Sequence, residues 1–338
     1  MAVMTFNSDD YYALPGFLQD YASYTIAIKG NAEKTVCEYL LDLRTFFRFI
    51  KMRSSGKNLT VEEFEKLDIS TMTIENAESV TSQRVIDFLF YLSQERRNKA
   101  GTRMRKLSAL KSFYHYAHGK RSLVSHDPTA DIDAPKKGVS LPKYLTLEEA
   151  LRLLDAVRND KESKTQRRDY TIILLFLNTG IRLSELVGLN LESIDSNLTS
   201  MKVLGKGNKE RIVYLNQATR ECIQEYLRTR LDPKHIRSSE HAMFLSQRQT
   251  RISAKTVQWL VNKYIERAGL SAKGISVHKL RHTAATLMYQ SGKVDIRVLK
   301  DILGHEQLNT TQIYTHVVSR NMEEAVESNP LSKINKLK

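Results

Sequence analysis

The chain has 338 residues, of which 41% are hydrophobic and 27% charged, a composition typical of a globular protein with room for two domains. Its formal net charge of +14 predicts a polyanionic partner, either nucleic acid or an anionic membrane surface. The longest apolar run, at 171–177, is far shorter than the roughly 20 residues of a membrane-spanning helix, which favours nucleic acid. Two cysteines in no paired spacing, and an N-terminus without a signal-peptide pattern, predict a cytoplasmic protein with no disulfide framework or zinc cluster.

The positive charge is concentrated in two regions. Residues 84–121 contain 10 Lys and Arg against 2 Asp and Glu, and residues 141–338 contain 32 against 21. The first 83 residues are slightly acidic. We therefore expect two basic surfaces that hold one polyanion from two sides.

The first half of the chain has apolar residues at helical spacing. Segments 33–50, 82–95 and 101–118 are each predicted to form an amphipathic helix, and a polar insert at 54–81 is predicted to contain one short acidic helix. A linker with proline and lysine follows at 136–144, since proline stops helices on either side. Four basic residues of the third helix lie largely off its apolar stripe, where both a solvated face and a DNA-contacting face are open interpretations: Arg103, Arg105, Lys106 and Lys111.

The second half combines helices with a small amount of sheet. Thr146 and Glu149 match a capping box at the start of a helix, and the apolar segment 169–180 is predicted to be a buried helix. Two β-rich runs within 201–215 flank a Gly-Lys-Gly-Asn turn, which predicts a hairpin. Further helices are expected at 217–230, 254–268, 276–290 and 295–303, with another that starts near 309.

Two basic residues on connections are candidates for phosphate chemistry. Lys206 is at the predicted hairpin tip, where a lysine can reach a phosphate or donate a proton to a leaving oxygen, although a soluble turn explains the same residues. Arg182 lies on a short connection between two helices. Its guanidinium is suited to two oxygens of one phosphate, and pairing with Glu185 is the structural alternative.

The helix at 276–290 carries a polar group of side chains. Its apolar residues fall on one side, while His278, Arg281 and His282 gather on roughly the opposite side, outside the core. Two histidines at i and i+4 are also found in the HExxH zinc pattern. Lys279 replaces the glutamate of that pattern and Arg281 would repel a cation, so no metal is expected.

The stretch LGHEQLNTTQIYTH, residues 303–316, places a helix end beside candidate chemistry. Gly304 is expected to end a helix that Asp295 caps, so that His305 emerges at a fixed position. A new helix then carries Tyr314 in its first turns. Taken alone, this tyrosine is better explained by core packing than by reactivity.

Five motifs, TGIRLSEL, GKGNKER, HKLRHT, LGH and YTHV, occur in this order over about 144–320. Together they resemble the tyrosine recombinase (phage integrase) family, most closely its Xer-like members. The resemblance implies a mainly α fold with a small β-sheet or hairpin, arranged as a two-domain C-shaped DNA clamp. It implies a helical core-binding (SAM-like) DNA-binding domain at 1–135, the linker at 136–144, a catalytic domain at 145–322 and a tail at 323–338 that docks on a neighbouring protomer.

The resemblance also implies the chemistry of a tyrosine site-specific DNA recombinase. The family's six catalytic positions are filled by Arg182, Lys206, His278, Arg281, His305 and Tyr314. Tyr314 would attack the scissile phosphate to form a 3′-phosphotyrosyl intermediate, while the two arginines brace the non-bridging oxygens. Lys206 would protonate the leaving 5′-oxygen, His278 would accept the tyrosine proton, and His305 would hydrogen-bond the phosphate. Neither a metal nor another cofactor is expected.

The implied partner is double-stranded DNA with paired inverted half-sites, held by a homotetramer that exchanges strands through a Holliday junction. The expected location is the cytoplasm, on nucleoid DNA. Salt-dependent phosphate contacts are expected from the basic block and from the hairpin, through Arg103, Arg105, Lys106, Lys111, Lys209 and Arg211.

Other functions share parts of this pattern. A type IB topoisomerase-like enzyme would use the same side chains to relax DNA as a monomer, and a non-catalytic DNA-binding regulator could share the fold without needing a nucleophile. The biological role stays open between integration or excision of a mobile element and Xer-type resolution of chromosome dimers. The insert at 54–81 is longer than in compact Xer proteins, which favours the mobile element.

Overall fold

The chain divides into two units, Met1–Val139 and Ser140–Lys338, and the division falls inside the predicted linker at 136–144. Each unit has a hydrophobic core of its own. Across the described residues, the search for a helix long and apolar enough to cross a membrane finds none. The computed structural model describes residues 11–56, 59–135, 143–205, 209–230, 241–292 and 294–304.

In the described ranges of the first unit, the regular secondary structure is helical. Its helices are α1 (Gly16–Ala27), α2 (Glu33–Ser55), α3 (Val61–Lys66), α4 (Ile74–Glu78), α5 (Ser82–Gln94) and α6 (Ala100–Ala117). The predicted helices at 33–50, 82–95 and 101–118 are confirmed as α2, α5 and α6. Helix α1 is an addition that apolar spacing does not predict, because its buried side includes tyrosine, alanine and threonine, whose hydrophobic contrast with their neighbours is weak.

Aromatic side chains connect the long helices of the first unit. Phe46 of α2 packs edge-to-face on Phe88 of α5, with ring centroids 5.1 Å apart, and Phe47 packs on Phe113 of α6 at 5.8 Å. All four rings are fully buried. Aromatic pairs of this geometry contribute about 0.5–1.5 kcal/mol beyond the area that they bury. They therefore hold α2 against both α5 and α6.

The insert at 54–81 is part of this core. It contains two short helices, α3 and α4, where one was predicted, because the five residues of α4 are too few to show a periodicity. A capping box between Thr60 and Glu63 starts α3. Phe64 of α3 is buried against Tyr91 of α5, with ring centroids 5.7 Å apart, and Ala77 of α4 is also buried. The insert therefore contributes side chains to the hydrophobic core of the first unit.

The second unit is built around one buried helix, α8. The elements are α7 (Leu147–Arg158), α8 (Gln166–Thr179), α9 (Leu183–Gly188), β1 (Ser200–Leu204), β2 (Glu210–Tyr214), α10 (Gln217–Arg230), α11 (Ala254–Arg267), α12 (Val277–Gln290) and α13 (Ile296–Leu303). The apolar side chains of 172–177 are all buried, because α7, α10 and α12 pack on different sides of α8. The strands pair antiparallel, with Met201 opposite Val213 and both side chains buried.

Most local predictions for the second unit are confirmed. Thr146 and Glu149 form the expected capping box, and the side chain of Asp295 caps α13 by accepting a hydrogen bond from the Arg297 N–H at 2.7 Å. The hairpin and the helices at 217–230, 254–268, 276–290 and 295–303 are present to within one or two residues at each end. The helix expected near 309 and the tail at 323–338 lie outside the described residues.

Candidate active site

The C-terminus of α13 brings together arginines from three separate elements. The last carbonyls of a helix have no partner within the helix, and they carry the negative end of its dipole. Here the Ile302 carbonyl accepts a hydrogen bond from Arg211 at 2.6 Å, the Leu303 carbonyl from Arg281 at 2.5 Å, and the Gly304 carbonyl from Arg182 at 2.5 Å. Three consecutive carbonyls therefore hold three guanidinium groups side by side.

Gly304 makes this close approach possible. It ends α13 with a φ of +65°, as predicted, and this left-handed conformation favours glycine. A Cβ at this position would lie 2.8 Å from Cδ of Arg211 and 3.5 Å from Nη1 of Arg182. A side chain here would therefore collide with Arg211, and it would lie in van der Waals contact with Arg182.

Arg182 is the N-cap residue of α9. Its Nη1 donates to Oε1 of Glu185 at 2.8 Å, and its backbone N–H donates to Oε2 of the same carboxylate at 2.8 Å. The structural pairing with Glu185 is thus present. One third of the Arg182 side chain is nevertheless exposed, which leaves part of the guanidinium accessible to a phosphate.

Arg281 departs from the prediction that it lies outside the core, because only 3% of it is exposed. Its Nη1 donates to the Gly180 carbonyl at 2.5 Å, while its Nη2 donates to Leu303. The guanidinium thus caps the ends of both α8 and α13. Helical spacing identified a face of α12, but it could not show that the C-termini of two other helices meet there.

His278 and His282 lie next to each other on α12, with ring centroids 4.6 Å apart in an edge-to-face arrangement. Desolvation by the surrounding protein lowers the pKa of His278, with further lowering from the positive charges of Arg281 and Arg182, although part of the residue is exposed. Desolvation and the charge of His278 lower the pKa of His282 to about 4. A neutral His278 at pH 7 is suited to accept a proton.

Glu185 is the acidic partner of the arginine group. Its side chain is fully buried, and it accepts hydrogen bonds from Arg182 and, at 2.8 and 3.3 Å, from Nη2 and Nε of Arg211. Burial alone would raise the pKa of Glu185, but the hydrogen bonds and charges of Arg211 and Arg182 outweigh it and lower the pKa. Local spacing pointed to Glu185 only as a partner of Arg182; its contact with Arg211 spans 26 residues of chain.

The hairpin residues predicted to contact DNA differ in their surroundings. Lys209 is exposed, and DNA contact by it stays a prediction. Arg211 has a side chain only 14% exposed and is hydrogen-bonded to Glu185 and Ile302 within the protein. Its contacts are therefore those of a structural residue.

The predicted DNA-contacting residues of α6 also differ. Lys106 is 12% exposed, and its Nζ contacts Oδ1 of the buried Asp42 at 2.9 Å. Arg105 is 42% exposed and pairs with Oδ2 of Asp42 at 2.6 Å. Arg103 and Lys111 are partly exposed. Lys106 thus has a structural partner in α2, whereas a DNA contact by the other three stays a prediction.

Three of the six predicted catalytic residues, Lys206, His305 and Tyr314, lie outside the described residues. Two of them follow described glycines directly in the chain. Gly205, before Lys206, donates its N–H to the Lys209 carbonyl at 2.8 Å and so closes the base of the hairpin. Gly304 precedes His305. In the ranges that are described, no cluster of three or more His, Cys, Asp or Glu side chains suited to a metal ion occurs.

Comparison with known proteins settles the family. The model of the phage integrase family matches residues 143–320, which is more than half of the chain and includes all five motifs. The chain belongs to the phage integrase family. It is 44% identical over 319 residues to the tyrosine recombinase XerC of Caldanaerobacter subterraneus subsp. tengcongensis, covering 94% of this chain and 88% of that one. The chain is therefore a tyrosine recombinase, an enzyme of site-specific DNA recombination, as its motifs predicted.

Solved structures confirm the predicted fold class. The recombinase XerH bound to palindromic difH substrate, in a post-cleavage complex, superposes with a TM-score of 0.66 at 20% identity, covering 95% of this chain and 96% of that one. A lambda integrase tetramer bound to a Holliday junction superposes with a TM-score of 0.63 at 18% identity, covering 88% and 76%. This fold is the expected mainly helical one with a small antiparallel sheet.

Proposed function

We propose that this recombinase exchanges strands between two copies of a DNA site through a covalent tyrosine intermediate, with Tyr314 as the nucleophile. The observation that carries the proposal is the convergence of Arg182 and Arg281 on the adjacent carbonyls of Gly304 and Leu303. Two fixed guanidinium groups beside a histidine of lowered pKa form a site suited to a phosphodiester. His305, the next residue in the chain, follows this site directly.

The proposed reaction divides its tasks among these side chains. As the bond between Oη of Tyr314 and phosphorus forms, the tyrosine proton passes to His278. The bond between phosphorus and the 5′-oxygen breaks, and that oxygen takes a proton from Lys206. Arg182 and Arg281 stabilise the charge on the non-bridging oxygens, where loss of one preorganised donor typically costs roughly 2.7–4 kcal/mol of transition-state stabilisation.

We propose further that the enzyme acts as a homotetramer on two sites, each built of inverted half-sites. Two proteins of this fold support the proposal: a lambda integrase tetramer is bound to a Holliday junction, and XerH is bound to a palindromic difH substrate. Exposed basic residues such as Arg105 and Lys209 would contact phosphates. The tail at 323–338 would dock on a neighbouring protomer. The substrate is nucleoid DNA in the cytoplasm.

For the biological role, we propose Xer-type resolution of chromosome dimers. The insert at 54–81, which favoured a mobile element, packs into the core of the first unit through Phe64 and Ala77. The alignment with the XerC relative spans 94% of this chain and so extends through at least part of that segment. The similarity to the XerC relative along most of the chain supports the Xer-type role over that of a mobile element.

A plasmid assay tests strand exchange against simple relaxation. The DNA site would first be obtained by selecting bound duplexes from a random pool, and two direct copies would then be placed in a supercoiled plasmid. Recombination yields two circles whose sizes are set by the positions of the sites, and the yield depends on both copies being present. A topoisomerase-like activity would instead relax a plasmid that lacks the sites, with no smaller circles, and that result would overturn the proposal.

A further inference from the structure

Arg211 has an unusual position for a basic residue next to a candidate DNA-contacting turn. On the inward side of β2, it pairs in register with Val203 of β1. Its guanidinium contacts both oxygens of Glu185, at 3.3 Å from Nε and 2.8 Å from Nη2, and its Nη1 donates to the Ile302 carbonyl at 2.6 Å. One side chain thus joins the hairpin to α9 and to the end of α13.

Arg211 and its partner Glu185 lie against the backbone at two glycines, most closely at Gly304. A Cβ on Gly304 would lie 2.8 Å from Cδ and 3.1 Å from Nε of Arg211. At the base of the hairpin, a Cβ on Gly205 would lie 3.7 Å from Oε1 of Glu185. Glu185 and Arg211 therefore lie against the chain at both glycines, each of which directly precedes a predicted catalytic residue.

We propose that Arg211 is a positioning residue that aligns the Lys206 hairpin with the arginine site at the end of α13. The inference rests on the proposed function, since it assigns Arg211 a task in that same reaction. The alignment requires a planar fork that bonds a carboxylate and a carbonyl in two directions. A lysine ammonium would keep the charge but could not reproduce this geometry.

Two other roles for Arg211 make different predictions. As a phosphate contact, it would contribute to DNA affinity and to the salt dependence of binding, whose slope falls by about one when one such contact is lost. As a residue that only stabilises the fold, its loss would lower the melting temperature without changing the chemistry of the folded enzyme.

The experiment compares Arg211→Lys and Arg211→Met with a matched control, Lys202→Met. Lys202 is on the opposite, exposed face of the same hairpin, where it pairs with Glu210 at 3.4 Å and is 64% exposed. Affinity for a selected half-site would be measured across salt concentrations. The rate of covalent adduct formation would be measured in single turnover, at saturating enzyme and at a temperature where melting curves show every variant folded. The nicked duplex would carry either oxygen or sulfur at the 5′-bridging position of the scissile phosphate.

The bridging sulfur isolates the task of Lys206, because a thiolate leaves without needing a proton from the enzyme. We expect both Arg211 variants to form adduct about 100-fold more slowly than wild type on the oxygen substrate, the scale expected when a catalytic group is misplaced by about 1 Å. On the sulfur substrate the deficit should shrink at least tenfold. Half-site affinity and its salt slope should match wild type, and Lys202→Met should behave as wild type throughout.

Three results would overturn the inference: an unchanged adduct rate in Arg211→Met, a salt slope lowered by about one with normal cleavage at saturation, or equal deficits on both substrates. Full activity of Arg211→Lys would also contradict it. The wild-type enzyme is measured alongside Tyr314→Phe. If wild type forms no adduct, the proposed function itself fails, whereas a wild-type adduct with unaffected Arg211 variants refutes this inference alone.

Discussion

Each of the two units buries a carboxylate between two cations, and the two sites behave in opposite ways. Glu185 lies between Arg182 and Arg211, and its pKa is lowered. Asp42 lies between Arg105 and Lys106, and burial raises its pKa. Glu185 accepts hydrogen bonds from two guanidinium groups and a backbone N–H, which together outweigh desolvation. At Asp42 the contributions of Lys106 and Arg105 do not outweigh burial.

The comparison shows two uses of a buried carboxylate: Glu185 holds arginine side chains in fixed orientations, and Asp42 holds one helix against another. At Glu185 the hydrogen bonds that offset the cost of burying the carboxylate also orient Arg182 and Arg211 at the proposed reaction site. At Asp42 the carboxylate anchors Lys106 beside α2, while Arg105 stays 42% exposed and accessible to a DNA phosphate. Substitutions of Glu185 and of Asp42 should therefore change the free energy of unfolding by different amounts and with different pH dependence.

The largest effect on stability is expected for Glu185→Gln. It leaves two partly buried guanidinium groups without their counter-charge, and breaking one side of a buried pair typically costs about 3–5 kcal/mol of unfolding free energy. Urea denaturation of wild type and Glu185→Gln at pH 7 measures this loss of unfolding free energy. A loss below about 1 kcal/mol would show that Glu185 is not the anchor of the site.

The next largest effect is expected for Arg281→Lys. Arg281 bonds the Gly180 carbonyl from Nη1 and the Leu303 carbonyl from Nη2. The single nitrogen of the shorter lysine side chain cannot reproduce this spacing, so the single-turnover cleavage rate should fall by about 10²–10³. Binding of the half-site should change much less. Equal losses in affinity and in rate would mean that Arg281 acts in binding the ground state rather than in catalysis.

The acid limb of the pH–rate profile should reflect His278. Desolvation and the nearby arginines lower its pKa, so the cleavage rate should stay constant from pH 8 down to the ordinary histidine pKa of 6.5 and decline only below it. His278→Gln should remove this limb along with much of the activity. A decline centred above pH 6.5 in the wild type would contradict the assignment of His278 as proton acceptor.

The smallest effect is expected for Asp42→Asn, below about 1 kcal/mol at pH 7, because the substitution removes a desolvated charge as well as its ion pairs.

The pH dependence of stability should also differ between the two carboxylates. The raised pKa of Asp42 means that the wild type gains stability relative to Asp42→Asn as pH falls towards the ordinary carboxylate range. The lowered pKa of Glu185 means that the wild type loses stability relative to Glu185→Gln as pH falls below 4.5. The difference in unfolding free energy between wild type and variant, measured from pH 3 to pH 7, should change with pH in opposite directions for Asp42→Asn and Glu185→Gln. Changes in the same direction would contradict the comparison.

Local chemistry was predictable from the sequence wherever neighbours along the chain determine the structure. The capping box at Thr146, the Asp295 cap and the stop at Gly304 follow from residues within a few positions of one another. The motif set also identified the family correctly. The burial of Arg281 and the use of Arg211 inside the protein were not predictable, because their carbonyl partners are 22 to 101 residues away in the chain.

The same distinction applies to the first unit. Strong apolar spacing revealed α2, α5 and α6, but the anchoring of Lys106 by Asp42 spans 64 residues and has no local pattern. A basic residue off the apolar stripe can contact either DNA or a buried acid on the next helix. Only the packing of α6 on α2 distinguishes the two.

The most direct test of the central claim is to trap and map the covalent intermediate. Wild-type enzyme would be incubated with a nicked suicide duplex that carries the selected site and a label on the strand 5′ to the scissile phosphate, digested, and analysed by mass spectrometry. The account predicts an adduct on the peptide that contains Tyr314, attached through a 3′-phosphate, and none in Tyr314→Phe. An adduct on another residue, or one that persists in Tyr314→Phe, would contradict it.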